Sequence, residues 1–184
     1  MMRFCLAYST ADNFLGRDVY GELERCWLQT DAALMLKNAA ENLAKTRPGL
    51  RLLAYDCARP LAVQVQMWAV VKGTPQQGYV ADPAVGSVHN LGCAVDLTLA
   101  DAAGPLDMGT PFDFFGEAAE PRAERKLLLS AALSPAQVAN RLILRETMVR
   151  AGFYPLDHEW WHFDCAPGAA ARERYPQLRE APPG

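Results

Sequence analysis

The sequence predicts an α+β fold in one domain, with a small, mainly antiparallel sheet packed against helices. Three features point to it. At 184 residues the chain has the length of a single domain. Half of its residues are hydrophobic, enough for a sizeable core. Helix-like and strand-like stretches alternate without the regular spacing of repeated βαβ units. No repeat or low-complexity linker divides the chain, so residues 1–184 read as one unit. The end, 179–184, closes on Pro-Pro-Gly and is expected to be disordered.

The first thirty residues are mixed and predict no definite element. Thr30 or Asp31 can cap a helix that runs to Thr46, is dominated by Ala and Leu, and stops at Pro48-Gly49. Leu50 to Tyr55 follows as a short apolar strand. Pro60 suits the first turn of a helix continued by Leu61 to Val71. Gly73 to Gly86 is rich in Gly and Pro and reads as an exposed loop. Cys93 to Leu99 is a strand. Its alternation sets Ala94, Asp96 and Thr98 on one face and Cys93, Val95, Leu97 and Leu99 on the other. Gly104-Pro105 marks a turn, and Asp107 to Ala132 reads as a long irregular surface excursion. A clear helix comes next, with Ser134 as N-cap, Pro135 in its first turn and Gly152 at its stop. Val138, Leu142, Arg145 and Val149 form its stripe, flanked by Ile143 and Met148. Glu159 to Cys165 is aromatic-rich and strand-like.

Composition excludes several classes. A formal charge of −3 gives no broad electrostatic footprint for nucleic acid. No apolar run reaches the length of a membrane span. The apolar start, Met1 to Tyr8, breaks at Ser9-Thr10 and is too short for a secretory leader, so a cytoplasmic protein is expected. The five cysteines are odd in number and contain no Cys-x-x-Cys pair. They read as reduced, mostly buried thiols.

The chemistry concentrates at the histidines. There are three, and none is isolated. His89 lies in Ser87-Val88-His89-Asn90-Leu91-Gly92-Cys93-Ala94-Val95-Asp96, while His158 and His162 bracket Glu159. Imidazole is the commonest zinc ligand, and a neighbouring carboxylate can move protons. One reading takes His158-Glu159-Trp160-Trp161-His162 as H-E-x-x-H, which needs a helix to bring both histidines to one face. Pro155 upstream and two adjacent Trp make a poor helix, and no histidine remains downstream as a third ligand. The other reading uses His89, Asp96 and His162. Three protein ligands plus a water are what a catalytic zinc requires. Glu159 would then take the water's proton and pass it to the leaving amine. A lone Asp96 in an apolar strand also needs a cation, because burying an unpaired carboxylate is costly. One tension remains. Glu159 and His162 lie three apart, so a regular strand would point them to opposite faces. Glu159 must sit at a turn or bulge where the strand begins.

These segments resemble the D-alanyl-D-alanine dipeptidases, a family grouped with D-Ala-D-Ala carboxypeptidases and the peptidase-like domain of hedgehog proteins. The resemblance rests on Ser87-x-His89 with Gly92-x-Ala94-Val95-Asp96-Leu97-Thr98-Leu99, then Glu159-Trp160-Trp161-His162. It extends in consistent order through Tyr8 with Asp12-Asn13-Phe14, Tyr55-Asp56-x-x-Arg59-Pro60, Met108-Gly109 with Phe112-Asp113, and Asn140-Arg141 leading to Gly152-Phe153. It implies one zinc ion on His89, Asp96 and His162, Glu159 as base and Arg59 as stabiliser of the developing oxyanion. It also implies a substrate pocket using Tyr8, Ser87 and Asp113, with a carboxylate suited to the dipeptide's ammonium. The implied activity is cleavage of D-Ala-D-Ala to two D-alanines, in antibiotic resistance or in salvage of cell-wall dipeptide. The alternatives are a carboxypeptidase on longer peptidoglycan stems and a non-catalytic zinc-binding module. The implied partner is a small dipeptide, with neither nucleic acid nor membrane. Asn90-Leu91 stands where the family often has Ser-Arg, and His158 occupies a position that varies and carries no implied role.

Overall fold

The computed structural model describes residues 2–180. One five-stranded sheet runs in the order β1-β2-β3-β5-β4. β1 (Arg3–Phe4) pairs parallel with β2 (Arg51–Asp56). The other pairings are antiparallel: β2 with β3 (Ala94–Ala100), β3 with β5 (His162–Asp164), and β5 with β4 (Tyr154–Pro155). The predicted mainly antiparallel α+β class is what is found. All of β3 is buried, so the alternation expected there separates two covered faces rather than a dry face from a wet one.

Two long helices pack on the sheet and on each other: α1 (Thr30–Thr46) against β2, and α4 (Pro135–Arg150) against β3. α1 buries Ala32, Leu36, Ala39 and Leu43, one stripe at helical spacing. Its cap differs from expectation. Gln29 holds the N-cap position without a side-chain bond, and the Asp31 carboxylate instead accepts from Ala32 N–H and the Tyr175 hydroxyl. α2 (Leu61–Val71) follows Pro60 as expected.

α4 opens with a capping box. Ser134 Oγ accepts from Gln137 N–H at 3.2 Å, and Gln137 Oε1 accepts from Ser134 N–H at 2.8 Å. Its buried face, however, carries Arg141, Leu144 and Met148, while Leu142 and Val149 of the expected stripe are 45% and 48% exposed. The reason is a buried arginine. Arg141 donates through Nε to Met108 O (2.7 Å) and through Nη2 to Ala118 O (2.8 Å), beneath the Trp160 ring. A guanidinium at the centre of a buried face breaks the apolar period that the stripe relied on.

The same arginine corrects the reading of 107–132 as a surface excursion. That segment is pinned from below, buries Met108, Ala119, Ala123 and Leu127, and forms short 3-10 turns and the helix α3 (Glu124–Leu129). The 73–86 loop also contains a 3-10 turn, Pro75–Tyr79. Tyr79 stacks on Phe115 (centroids 5.2 Å apart) and donates to Glu120 Oε1, joining the two segments over the site.

The cysteine expectation is overturned. Cys26–Cys57 and Cys93–Cys165 are disulfides, with Cα separations of 5.2 and 5.1 Å that suit a bridge, and Cys5 is free and exposed. Partners 31 and 72 positions apart leave no local spacing signal. Of the tail expected to be disordered, 181–184 lie outside the described residues. Just upstream of it, α5 (Gly168–Arg174) leads to Leu178, whose N–H donates to Asn90 O and whose carbonyl accepts from Leu61 N–H. Among the described residues no helix is long and apolar enough to cross a membrane.

Candidate metal centre

The sheet register builds the centre. Asp96 on β3 lies directly opposite His162 on β5, so both side chains leave the same face. His89 arrives from a 3-10 turn, Val88–Leu91, fixed by reciprocal bonds: Ser87 Oγ accepts from His89 N–H, and Asn90 Oδ1 accepts from Ser87 N–H at 2.7 Å. Gly92 (φ 65°) takes the left-handed conformation that turns the chain into β3.

Three atoms converge. His89 Nε2 is 3.2 Å from Asp96 Oδ1 and 3.1 Å from His162 Nδ1, and His162 Nδ1 is 3.0 Å from Asp96 Oδ1. Ligands at the usual zinc distances define a tetrahedron with edges of ~3.3 Å, close to this triangle. The tautomers also fit. Cys57 O, 2.6 Å from His89 Nδ1, can only accept a hydrogen bond, so Nδ1 carries the proton and the Nε2 lone pair points inward. His162 Nε2 faces Asp164 Oδ1 at 2.8 Å, which likewise leaves its Nδ1 lone pair facing inward. Two lone pairs and a carboxylate, all buried, need a shared cation. The charge balance agrees. Burial disfavours a charged His162, while Asp164 and Asp96 favour one and hold its pKa well above the usual value; a metal ion at Nδ1 would meet the same demand in place of a proton. Burial also works against the Asp96 carboxylate, but His89 and His162 outweigh it and lower its pKa.

Glu159 stands at a bend before β5, held where Trp160 N–H meets Ala119 O. The irregular backbone lets Glu159 Oε2 reach within 3.8 Å of His162 Nδ1, which accommodates the spacing of three residues. Glu159 is buried, and that burial raises its pKa, with His162 acting in the opposite direction. The segment 158–162 is not helical. His158 is partly exposed, and its Nδ1 pairs with Asp157 rather than joining His162. The H-E-x-x-H geometry is absent.

Arg59 is fixed on the neighbouring wall. Nε and Nη2 donate to Asp56 Oδ2 at 3.0 and 2.6 Å, Nη1 donates to Gln64 Oε1, and Nη2 lies 3.8 Å from Asp96 Oδ2. Asp56 also accepts from the Tyr20 hydroxyl and from Cys57 N–H. Tyr8 donates to Asp113 at 2.8–2.9 Å, and the Arg59 guanidinium sits 5.3 Å from the centre of the Tyr8 ring. Asp113 adopts φ 60° and, among the described residues, has no basic partner within ion-pair distance; burial pushes its carboxyl well up. Tyr8, Arg59, Ser87, Asp113, Glu159 and the three converging residues all line one cavity of about 230 Å³.

Sequence reasoning missed the roles of Asp56, Gln64 and Asp164. Asp164 had a readable signal, because His162 and Asp164 are two apart on a strand and share a face. Asp56 and Gln64 become visible only when β2 and α2 fold together around Arg59.

A His-Asp-His cluster with a buried glutamate and a fixed arginine, set in a cleft of an α+β sheet, defines a metal-dependent hydrolase class of site. The chain belongs to the peptidase M15 family described as D-ala-D-ala dipeptidase, whose model matches residues 2–180. It is 38% identical to the D-alanyl-D-alanine dipeptidase of Escherichia coli over 95% of this chain and 82% of that protein. It is 32% identical to the D-alanyl-D-alanine dipeptidase of Enterococcus faecalis and 34% identical to that of Enterococcus faecium, each over 88% of this chain and 85% of the relative.

Proposed function

We propose that this chain, acting as one catalytic domain, hydrolyses D-alanyl-D-alanine to two D-alanines with one zinc ion held by His89, Asp96 and His162. The observation that carries this reading is the inward-facing triangle of lone pairs beside a buried Glu159 and a fixed Arg59. Bound zinc supplies a Lewis acid that acidifies water and polarises a carbonyl. Glu159, raised by burial, takes the water's proton and returns it to the departing amine. Arg59 faces the developing oxyanion, and its ion pair with Asp56 keeps the guanidinium from swinging away. Asp113 with Tyr8 receives the substrate's ammonium, and Ser87 lines the same pocket.

The cavity size favours the dipeptide over a longer peptidoglycan stem. About 230 Å³ falls below the roughly 300–1,000 Å³ of drug-sized sites. A non-catalytic zinc module would need neither Glu159 nor Arg59. Antibiotic resistance and salvage of cell-wall dipeptide share this chemistry and are both served by it. The cytoplasmic setting expected from the sequence sits against two disulfides, which are rare in reducing compartments and favour an oxidising one.

The test is turnover of D-Ala-D-Ala by zinc-loaded protein with and without chelator. His89→Ala and Asp96→Ala should lose tight zinc binding, while His158→Ala keeps it. Glu159→Ala should keep zinc and lose about 10²–10⁴-fold in turnover. Zinc held by His89→Ala but lost by His158→Ala would return the centre to the H-E-x-x-H pair. Turnover that survives in Glu159→Ala would move the base elsewhere.

A further inference from the structure

We infer that Arg172, on α5, recognises the free carboxylate of the dipeptide and so makes the site an exopeptidase pocket. The inference rests on the dipeptidase reading above.

Several independent observations place the guanidinium there. Arg172 follows His162 by ten positions, on a separate helix, and lines the same cavity as His89, Asp96 and Glu159. Its side chain folds back along α5 toward Gly168. A Cβ at Gly168 would lie 2.9 Å from Arg172 Nη1, so the absence of a side chain at Gly168 clears space for the guanidinium. Arg172 Nη2 donates to Gly86 O at 2.9 Å, and Nε reaches toward Val85 O at 3.5 Å. Gly86 immediately precedes Ser87, the residue that caps the His89 turn. The bonds to the loop therefore tether the guanidinium beside Ser87. They engage Nε and one hydrogen of Nη2, and among the described residues no hydrogen-bond acceptor is assigned to Nη1.

Charge accounting narrows the ligand. A zwitterionic dipeptide brings an ammonium and a carboxylate. The cavity offers Asp113 for the ammonium. Apart from the histidines, its basic lining residues are Arg59 and Arg172. Arg59 is committed to Asp56 and Gln64. Arg172 carries no carboxylate partner within ion-pair distance among the described residues and is exposed at the rim. A planar guanidinium with spare N–H groups suits a carboxylate. Arg172 thus holds the loop that leads into the His89 turn, and other residues of α5 pack against that turn, Val88–Leu91.

The test compares D-Ala-D-Ala with D-alanyl-D-alaninamide, which keeps the ammonium and scissile bond but has no terminal carboxylate. Zinc-loaded wild type should prefer the free acid. Arg172→Ala should lose about 10- to 100-fold in kcat/KM on the free acid, the range for one hydrogen bond to a charged group. It should change less than about twofold on the amide. Arg172→Lys should fall between the two, because charge remains but the fork is lost. Bound zinc, measured directly, should stay at one per chain in each variant. An equal loss on both substrates would assign Arg172 a structural role and overturn the inference. Unchanged free-acid kinetics in Arg172→Ala would do the same while leaving the dipeptidase reading intact. Wild-type protein that cleaves neither compound would strike the dipeptidase reading itself, and the inference with it.

Discussion

Removing Asp164 should weaken the metal centre without touching a ligand. Its Oδ1 lies 2.8 Å from His162 Nε2, both groups are buried, and the bond fixes the tautomer that turns Nδ1 inward. A hydrogen bond of this type to a charged group is worth about 1.5–3 kcal/mol. Loss of such a carboxylate partner typically lowers metal affinity about 10- to 100-fold, the same range expressed as binding. Asp164→Asn retains an oxygen acceptor but drops the charge, so it should fall near ~10-fold. Asp164→Ala removes both and should approach ~100-fold. The assay is competition for zinc against a chromophoric chelator at fixed pH, with a thermal melt of the metal-free protein alongside. Wild-type zinc affinity in Asp164→Ala would refute the reasoning. So would a lowered melting temperature with affinity intact, which would make Asp164 a packing residue only.

Two further outcomes follow from charge and covalent structure. Asp113→Asn should stabilise the fold while weakening substrate binding. Burial raises the Asp113 carboxyl well above its unfolded value, so the folded state prefers it neutral; the contribution of this one group to stability is full below the ordinary carboxylate range and is lost as pH rises through that range toward the raised folded value. Asn keeps the neutral shape and tolerates φ 60°. The variant should melt about 2–4 °C higher at pH 7, with the gap shrinking toward pH 4, and its KM for D-Ala-D-Ala should rise roughly tenfold; a pH-independent gap would contradict this account. Cys93–Cys165 spans 72 positions, and the chain-entropy relation gives about 4 kcal/mol for such a loop. Urea unfolding of Cys93→Ala/Cys165→Ala should show a loss of up to that size, and thiol titration of the denatured, unreduced wild type should find Cys5 alone. Five reactive thiols would reinstate the reduced state expected from sequence.

The fold was legible where local chemistry and tertiary packing agreed. The Ser134–Gln137 cap, the Pro60 helix start and the Ala94–Ala100 strand each carry their signal within a few residues. The buried face of α4 was misread because Arg141 interrupts its apolar period, and a buried arginine shows only against its partners, Met108 O and Ala118 O. The segment 107–132 looked like plain surface for the same reason. Its long-range anchors come from α4, from the Pro75–Tyr79 turn and from Trp160. At the centre, His89, Asp96 and His162 could be grouped because a catalytic zinc needs three ligands, Asp96 stands alone in an apolar strand, and the family resemblance implies the same three residues. Asp56 could not be given its partner, since the Arg59 fork forms only after β2 turns into α2.

The two histidines differ in what sets their orientation. For His89 it is the peptide carbonyl of Cys57, which no side-chain substitution can delete; for His162 it is the side chain of Asp164. One half of the centre is therefore shielded from point mutation, while the other can be adjusted by a single codon. Variation in metal affinity among descendants of this sequence should enter through the β5 side. The Cys57 side, locked to Cys26 by a covalent bridge, should change only through shifts of the backbone itself.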